Sequence, residues 1–269
     1  MAVDLASLWD FGNPQVSEDR FRDLLADADA DDAWVLRTQI ARTYGLRRDF
    51  EGARALLRDL EPGLADSSAE GQVRYWLELG RTYASAAHSP ESQTDEAKAT
   101  AKAAYLEAFE VARAARLDGL AVDALHMMTM VETSPSDQIK WNLRAISYMD
   151  ASDQREAKQW EASLRNNLGY ALYLAGSYEE ALTHFEIAHF VRENAGKDGP
   201  TRIAAWMVAW TLRALHRYDE ALSIQHRLEK QWADDGQEDH YVFEELEHLY
   251  RAKGDEEKAS YYRSKQPAS

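Results

Sequence analysis

Small side chains recur along this 269-residue chain at a spacing suited to paired helices. Ala53, Ala101, Ala181, Ala221 and Ala259 follow one another, with Gln138 in the one place not held by alanine. The intervals are 48, 37, 43, 40 and 38 residues. The residues around them keep a helical period: Ala181, Phe185 and Ala188 stand four and three apart. A second series runs ahead of the first in Ala41, Gly80, Gly169 and Ala209, with His126 and Glu247 in the two remaining units. Two helices cross closely only where both present little bulk. One such hairpin cannot cover its own apolar faces, so neighbours must stack. An all-α chain is expected. The 13 glycines and 6 prolines are too few for the turns of an all-β chain, and 45% hydrophobic residues suffice for a core.

The clearest unit is Ala162 to Ala195. Leu168, Gly169 and Leu172 share one helical face, Gly176-Ser177 breaks the chain, and the Ala181 stripe follows. Trp76, Leu79, Gly80 and Tyr83 set out the first half of the same pattern, and Ala101, Tyr105 and Ala108 the second, displaced by an insertion around His88-Ser89-Pro90. This pattern resembles the tetratricopeptide repeat (TPR). The units exceed the usual length of about 34 residues, as in long-repeat members such as kinesin light chain. The resemblance implies a right-handed α-solenoid of about six TPR-like helical hairpins over residues 34–67, 73–115, 119–150, 162–195, 202–234 and 240–265. Residues 1–33 are expected to form an N-terminal cap. Its helix would run over 17–28 from a turn at Asn13-Pro14, with Ser17 as N-cap and Phe21, Leu24 and Leu25 buried. Residues 266–269 read as a frayed tail.

Charge narrows the partners. There are 47 acidic and 31 basic residues, a formal net charge of −16, which repels nucleic acid and anionic membranes. Residues 1–33 and 234–269 hold most of the excess, as polar outer faces on terminal repeats would. Cysteine is absent, which excludes disulfides, thiolate metal sites and a cysteine nucleophile. No basic leader and no apolar run of about 18 residues is evident. A cytoplasmic protein is expected, as monomer or weak homo-oligomer.

In the family, ligands lie in the concave face built from the first helix of each repeat. Carried over position by position, the resemblance places Arg42, Arg74, Arg81, Met127, Asn166, Tyr170, Tyr173, Trp206, Trp210, Arg213, His248 and Arg251 in that groove, with Asn167 beside it. All the groove positions together hold five arginines against Asp123 and Glu244. An excess of positive charge with an aromatic middle suits an acidic-hydrophobic peptide segment. Whether Trp206 and Trp210 face the groove or the core stays open at this point. Asn167, in the sixth position of its repeat, has an amide able to donate and accept at once, matching an extended peptide backbone. The clamp that grips chaperone tails is incomplete: Thr38 and Arg42 stand at its positions in the first repeat, and Ile203 and Met207 stand where its later cations would be.

No catalytic constellation is visible. His240, Glu244 and His248 share a helical face but lack the spacing of a metalloprotease motif. His126 reads as a core histidine. Gly196-Lys197-Asp198-Gly199-Pro200 reads as a loop between repeats rather than a phosphate loop. No cofactor and no metal is expected. The functional expectation is a non-catalytic scaffold or adaptor that binds a peptide segment in its groove. The alternative is a regulatory sensor for a small peptide or metabolite.

Overall fold

The computed structural model describes residues 3–196 and 198–267, so Met1, Ala2, Lys197 and the last two tail residues lie outside it. Among the described residues all regular structure is helical. The packing divides the chain into two compact units, with the boundary between Trp160 and Glu161.

The first unit opens with α1 (Leu5–Leu8) and α2 (Pro14–Leu25). α2 starts three residues before the expected Ser17, because Pro14 pre-sets the helical φ at the first position and Asn13 takes the cap position. Ser17 is instead buried, exchanging hydrogen bonds with the Asp10 backbone at 2.7 and 3.1 Å. Phe21 is fully buried, whereas Leu24 is 40% exposed. Leu5, Leu8, Trp9, Phe21 and Leu25 pack in one cluster with Val35, Leu36 and Ile40.

Three hairpins follow: α3 (Ala30–Leu46) with α4 (Phe50–Leu60), α5 (Ala69–Tyr83) with α6 (Asp95–Ala114), and α7 (Asp118–Val131) with α8 (Pro135–Ala151). Side-chain caps fix several starts: Asp29, Asp49, Ser68, Thr94 and Ser134 each accept the backbone N–H three residues on. α5 lies against both α3 and α7, which carries the stack from one hairpin to the next. A single turn, α9 (Arg155–Lys158), closes the unit against α7.

The second unit holds α10 (Glu161–Leu174) and α11 (Tyr178–Asn194), α12 (Asp198–Ala214) and α13 (Tyr218–Asp234), and α14 (His240–Ala252) and α15 (Glu256–Ser264). Asp198, Gly199 and Pro200 form the first turn of α12 rather than a loop; proline suits that turn, which has no intrahelical partner for its N–H.

Close crossings coincide with the small residues. A Cβ on Gly169 would lie 2.9 Å from the Phe185 ring, and one on Gly80 would run into the Tyr105 ring. Ala41 and Ala209 are buried at the matching places. Gly176 turns the chain between α10 and α11 at φ +82°, a conformation natural to glycine.

Candidate functional site

The positions expected to line a groove behave differently in the two units. In the first unit not one of them is exposed, and Val35, Thr38, Leu77, Ala84, Asp123 and Met127 are buried. In the second unit not one is buried, and Tyr170, Ile203, Tyr241, Glu244 and Arg251 are exposed.

The first unit covers its row by two means. The segment ahead of α2 folds onto α3: the Trp9 indole N–H donates to Gln39 at 3.2 Å, Phe11 stacks on Trp9 at 4.8 Å, and the Arg42 guanidinium lies 5.5 Å from the Trp9 ring. The rest is occupied by an ion network. Arg81 donates to both Asp123 oxygens at 2.6 and 2.7 Å and to Glu78 at 2.5 Å, while Arg42 reaches Glu78 at 3.5 Å. Burial disfavours the Arg81 cation, but Asp123 and Glu78 outweigh that and hold its pKa above the ordinary value. Burial likewise disfavours the Asp123 carboxylate, and Arg81 and Arg42 more than compensate, holding it below the usual range. His126 packs against Trp160, ring centroids 5.0 Å apart, and burial lowers its pKa.

These contacts remove the expected positive excess. Arg74 pairs with Glu70 at 2.8 Å, Arg213 with Glu245, and Arg251 with Glu247 at 2.8 Å. Every arginine assigned to the groove therefore has a carboxylate of the protein beside it. With those carboxylates counted, the ground for an acidic ligand is gone. Two cavities of the first unit include residues of the expected row. One, of about 410 Å³, has Arg74, Asp123 and Trp160 in its wall; the other, of about 210 Å³, has Arg42, Arg81 and Met127. The arginines in their walls are already paired.

The second unit keeps its row accessible, and aromatic rings fill it. Tyr173 of α10 lies face to face with Trp210 of α12, centroids 3.4 Å apart. Tyr170 stacks on the same ring at 6.2 Å, and Trp206 at 5.8 Å. Tyr241 of α14 meets Trp206 edge-on at 6.4 Å. The Trp206 indole N–H donates to the Tyr241 carbonyl at 3.1 Å, which fixes the ring. Trp206 and Trp210 are half-buried, each with one part packed and another open. Burial raises the Tyr173 pKa, so its hydroxyl stays protonated. One turn before Tyr170, the Asn166 side-chain carbonyl is buried without a hydrogen-bond partner. His248 lies 3.9 Å from Glu245. Among the described residues, His240, Glu244 and His248 do not assemble as a metal-ligand group.

An apolar cavity of about 320 Å³ opens beside the ladder, between α12, α13 and α14. Trp232, at the end of α13, forms one wall. Sequence reasoning passed over it because it lies on a second helix, in an acidic stretch without a motif. Tyr241 and Ile203 stand at the groove positions of the last two repeats.

A ladder of aromatic side chains thus runs along the first helices of successive hairpins in a helical-repeat fold. Residues 160–227, which include most of that ladder, match the tetratricopeptide repeat family. Over its length the chain shares its fold with proteins built from such repeats. A Signal Transduction ATPase with Numerous Domains (STAND) from Pyrococcus horikoshii, with a tetratricopeptide repeat sensor, superposes over 94% of the chain at 13% identity and TM-score 0.73. The chain spans only 38% of that protein's length. The apo form of RapI matches over 98% of this chain and 76% of its own, at 11% identity and TM-score 0.71. NprR in complex with its cognate peptide NprX matches over 97% and 74%, at 14% identity and TM-score 0.52. No curated protein matches the sequence. No helix among the described residues is long and apolar enough to cross a membrane.

Proposed function

We propose that the chain is a non-catalytic interaction protein whose second unit binds a peptide segment along α10, α12 and α14. One observation carries this reading: the Tyr170–Tyr173–Trp210–Trp206–Tyr241 ladder stays accessible while the equivalent row of the first unit is filled from within. Aromatic rings held by stacking offer large contact area with little rotamer entropy left to lose. NprR, similar in fold, is seen with a peptide.

The test is selection of peptides from a random-sequence library on the full chain. Affinities are then compared between wild type and the Tyr170→Ala/Trp206→Ala pair. A loss of about thirtyfold or more with an unchanged helical circular dichroism spectrum supports the reading; this corresponds to the roughly 2 kcal/mol of one hot-spot residue. Equal affinity in the pair contradicts it.

A further inference from the structure

The unit-two cavity has a mainly apolar interior and an unbalanced rim. Ile203, Trp206, Leu228, Trp232, Tyr241 and Val242 line it, and Ile203 and Tyr241 at its mouth are 60% and 56% exposed. At about 320 Å³ it lies at the low end of the range of small-molecule sites, about 300–1,000 Å³. That suits one bulky side chain rather than an extended cofactor.

The cations around the mouth are spent. Arg202 lies over the Trp232 ring at 4.5 Å and pairs with Asp235 at 2.6 Å. Lys265 pairs with Glu238 at 3.2 Å. Farther along α14, Arg213 is held by Glu245 and Arg251 by Glu247. Two carboxylates flank Tyr241 without an ion pair among the described residues: Asp239, just before α14, and Glu244, one turn into it. Asp239 is also held in place, its Oδ1 accepting the Tyr241 backbone N–H at 2.9 Å.

Resting on the peptide-binding reading above, we infer that the segment bound here is basic and hydrophobic. A large apolar side chain enters the cavity, and a neighbouring lysine or arginine lies against Asp239 and Glu244. The charge is the reverse of that expected from the arginines in the sequence. A hydrophobic anchor beside a cation complements an apolar hole that has two carboxylates without an ion pair, among the described residues, beside it.

The probe is the set of peptides selected from a random-sequence library on the full chain, with synthetic copies for titration. Selected peptides are expected to share a large apolar residue within a few positions of Lys or Arg. Asp239→Asn with Glu244→Gln should weaken them about fivefold, the effect of two partly exposed charge contacts. Added salt should weaken them too. Asparagine caps a helix as well as aspartate, so the double variant should melt like wild type. Ile203→Arg, at an exposed position on the mouth, should abolish binding of the same peptides. Selected peptides without a basic residue, or affinities indifferent to Asp239→Asn/Glu244→Gln, would overturn the charge assignment while leaving peptide binding intact. A selection that enriches nothing would overturn both.

Discussion

Tyr173 and Trp210 lie face to face, 3.4 Å between ring centroids and 18° from parallel, although they belong to successive hairpins. The stack joins α10 to α12 on the side of the second unit where the expected row stays accessible. A double-mutant cycle of Tyr173→Ala and Trp210→Ala, read by urea unfolding, should give a coupling of about 0.5–1.5 kcal/mol. Purely additive effects would mean that the two rings do not support each other.

Asp123 anchors the first unit in another way, as the buried acceptor for Arg81. Asp123→Asn should cost about 3 kcal/mol or more, because Arg81 then keeps a buried charge with half its partners. The pH dependence follows from the depressed carboxyl. Its stabilisation is complete above the unfolded-state value of about 3.9 and is lost as pH falls through the lower folded value. Acid unfolding of the variant, followed by circular dichroism, should therefore show a shallower slope below about pH 4. A slope equal to that of wild type would exclude Asp123 as a source of the acid sensitivity.

The two crossing glycines should differ. Replacing glycine by alanine inside a helix gains about 1 kcal/mol of propensity, whereas overpacking costs about 1–3 kcal/mol. At Gly80 the new methyl group runs into Tyr105, which is fully buried and tethered through its hydroxyl to the Ala84 carbonyl at 2.8 Å. At Gly169 the obstacle is the Phe185 ring, for which no hydroxyl tether exists. Gly80→Ala should lower the melting temperature more than Gly169→Ala does. The opposite order would mean that Tyr105 yields more readily than its hydrogen bond implies.

Arg48 turns the chain after α3 at φ +66°, in the left-handed region. Its side chain is exposed. Arg48→Gly should relieve the backbone conflict and stabilise the protein by about 0.5–1 kcal/mol in denaturant titration. A destabilised variant would show that the arginine side chain contributes more than its backbone costs.

The sequence makes the hairpins readable because close crossing demands small residues at fixed places, and Gly80 against Tyr105 and Gly169 against Phe185 meet that demand directly. It also places the aromatic row, since Tyr170 and Trp210 occupy equivalent positions in successive repeats and Tyr173 and Trp206 lie about one turn away on the same helix faces. The fate of the arginines is not readable in the same way. Glu78 and Glu245 sit one residue after a groove position, and they meet Arg42 and Arg213 only when the next hairpin stacks on the last. Reversing the charge of Arg81 would therefore set a third carboxylate against Glu78 and Asp123 and unfold the unit, rather than probe a ligand contact. The cavity escapes sequence reasoning because its Trp232 wall comes from a second helix, outside the row that the repeat pattern singles out.

The central claim is that the open row of the second unit is the recognition face. The most direct measurement places a photo-crosslinking phenylalanine analogue at Tyr170, at Tyr241 or, as control, at Phe190, an exposed position on α11. Each protein is irradiated with a library-selected peptide. Crosslinks from positions 170 and 241 and none from 190 are expected. Crosslinks at 190 with none at the other two would contradict the account.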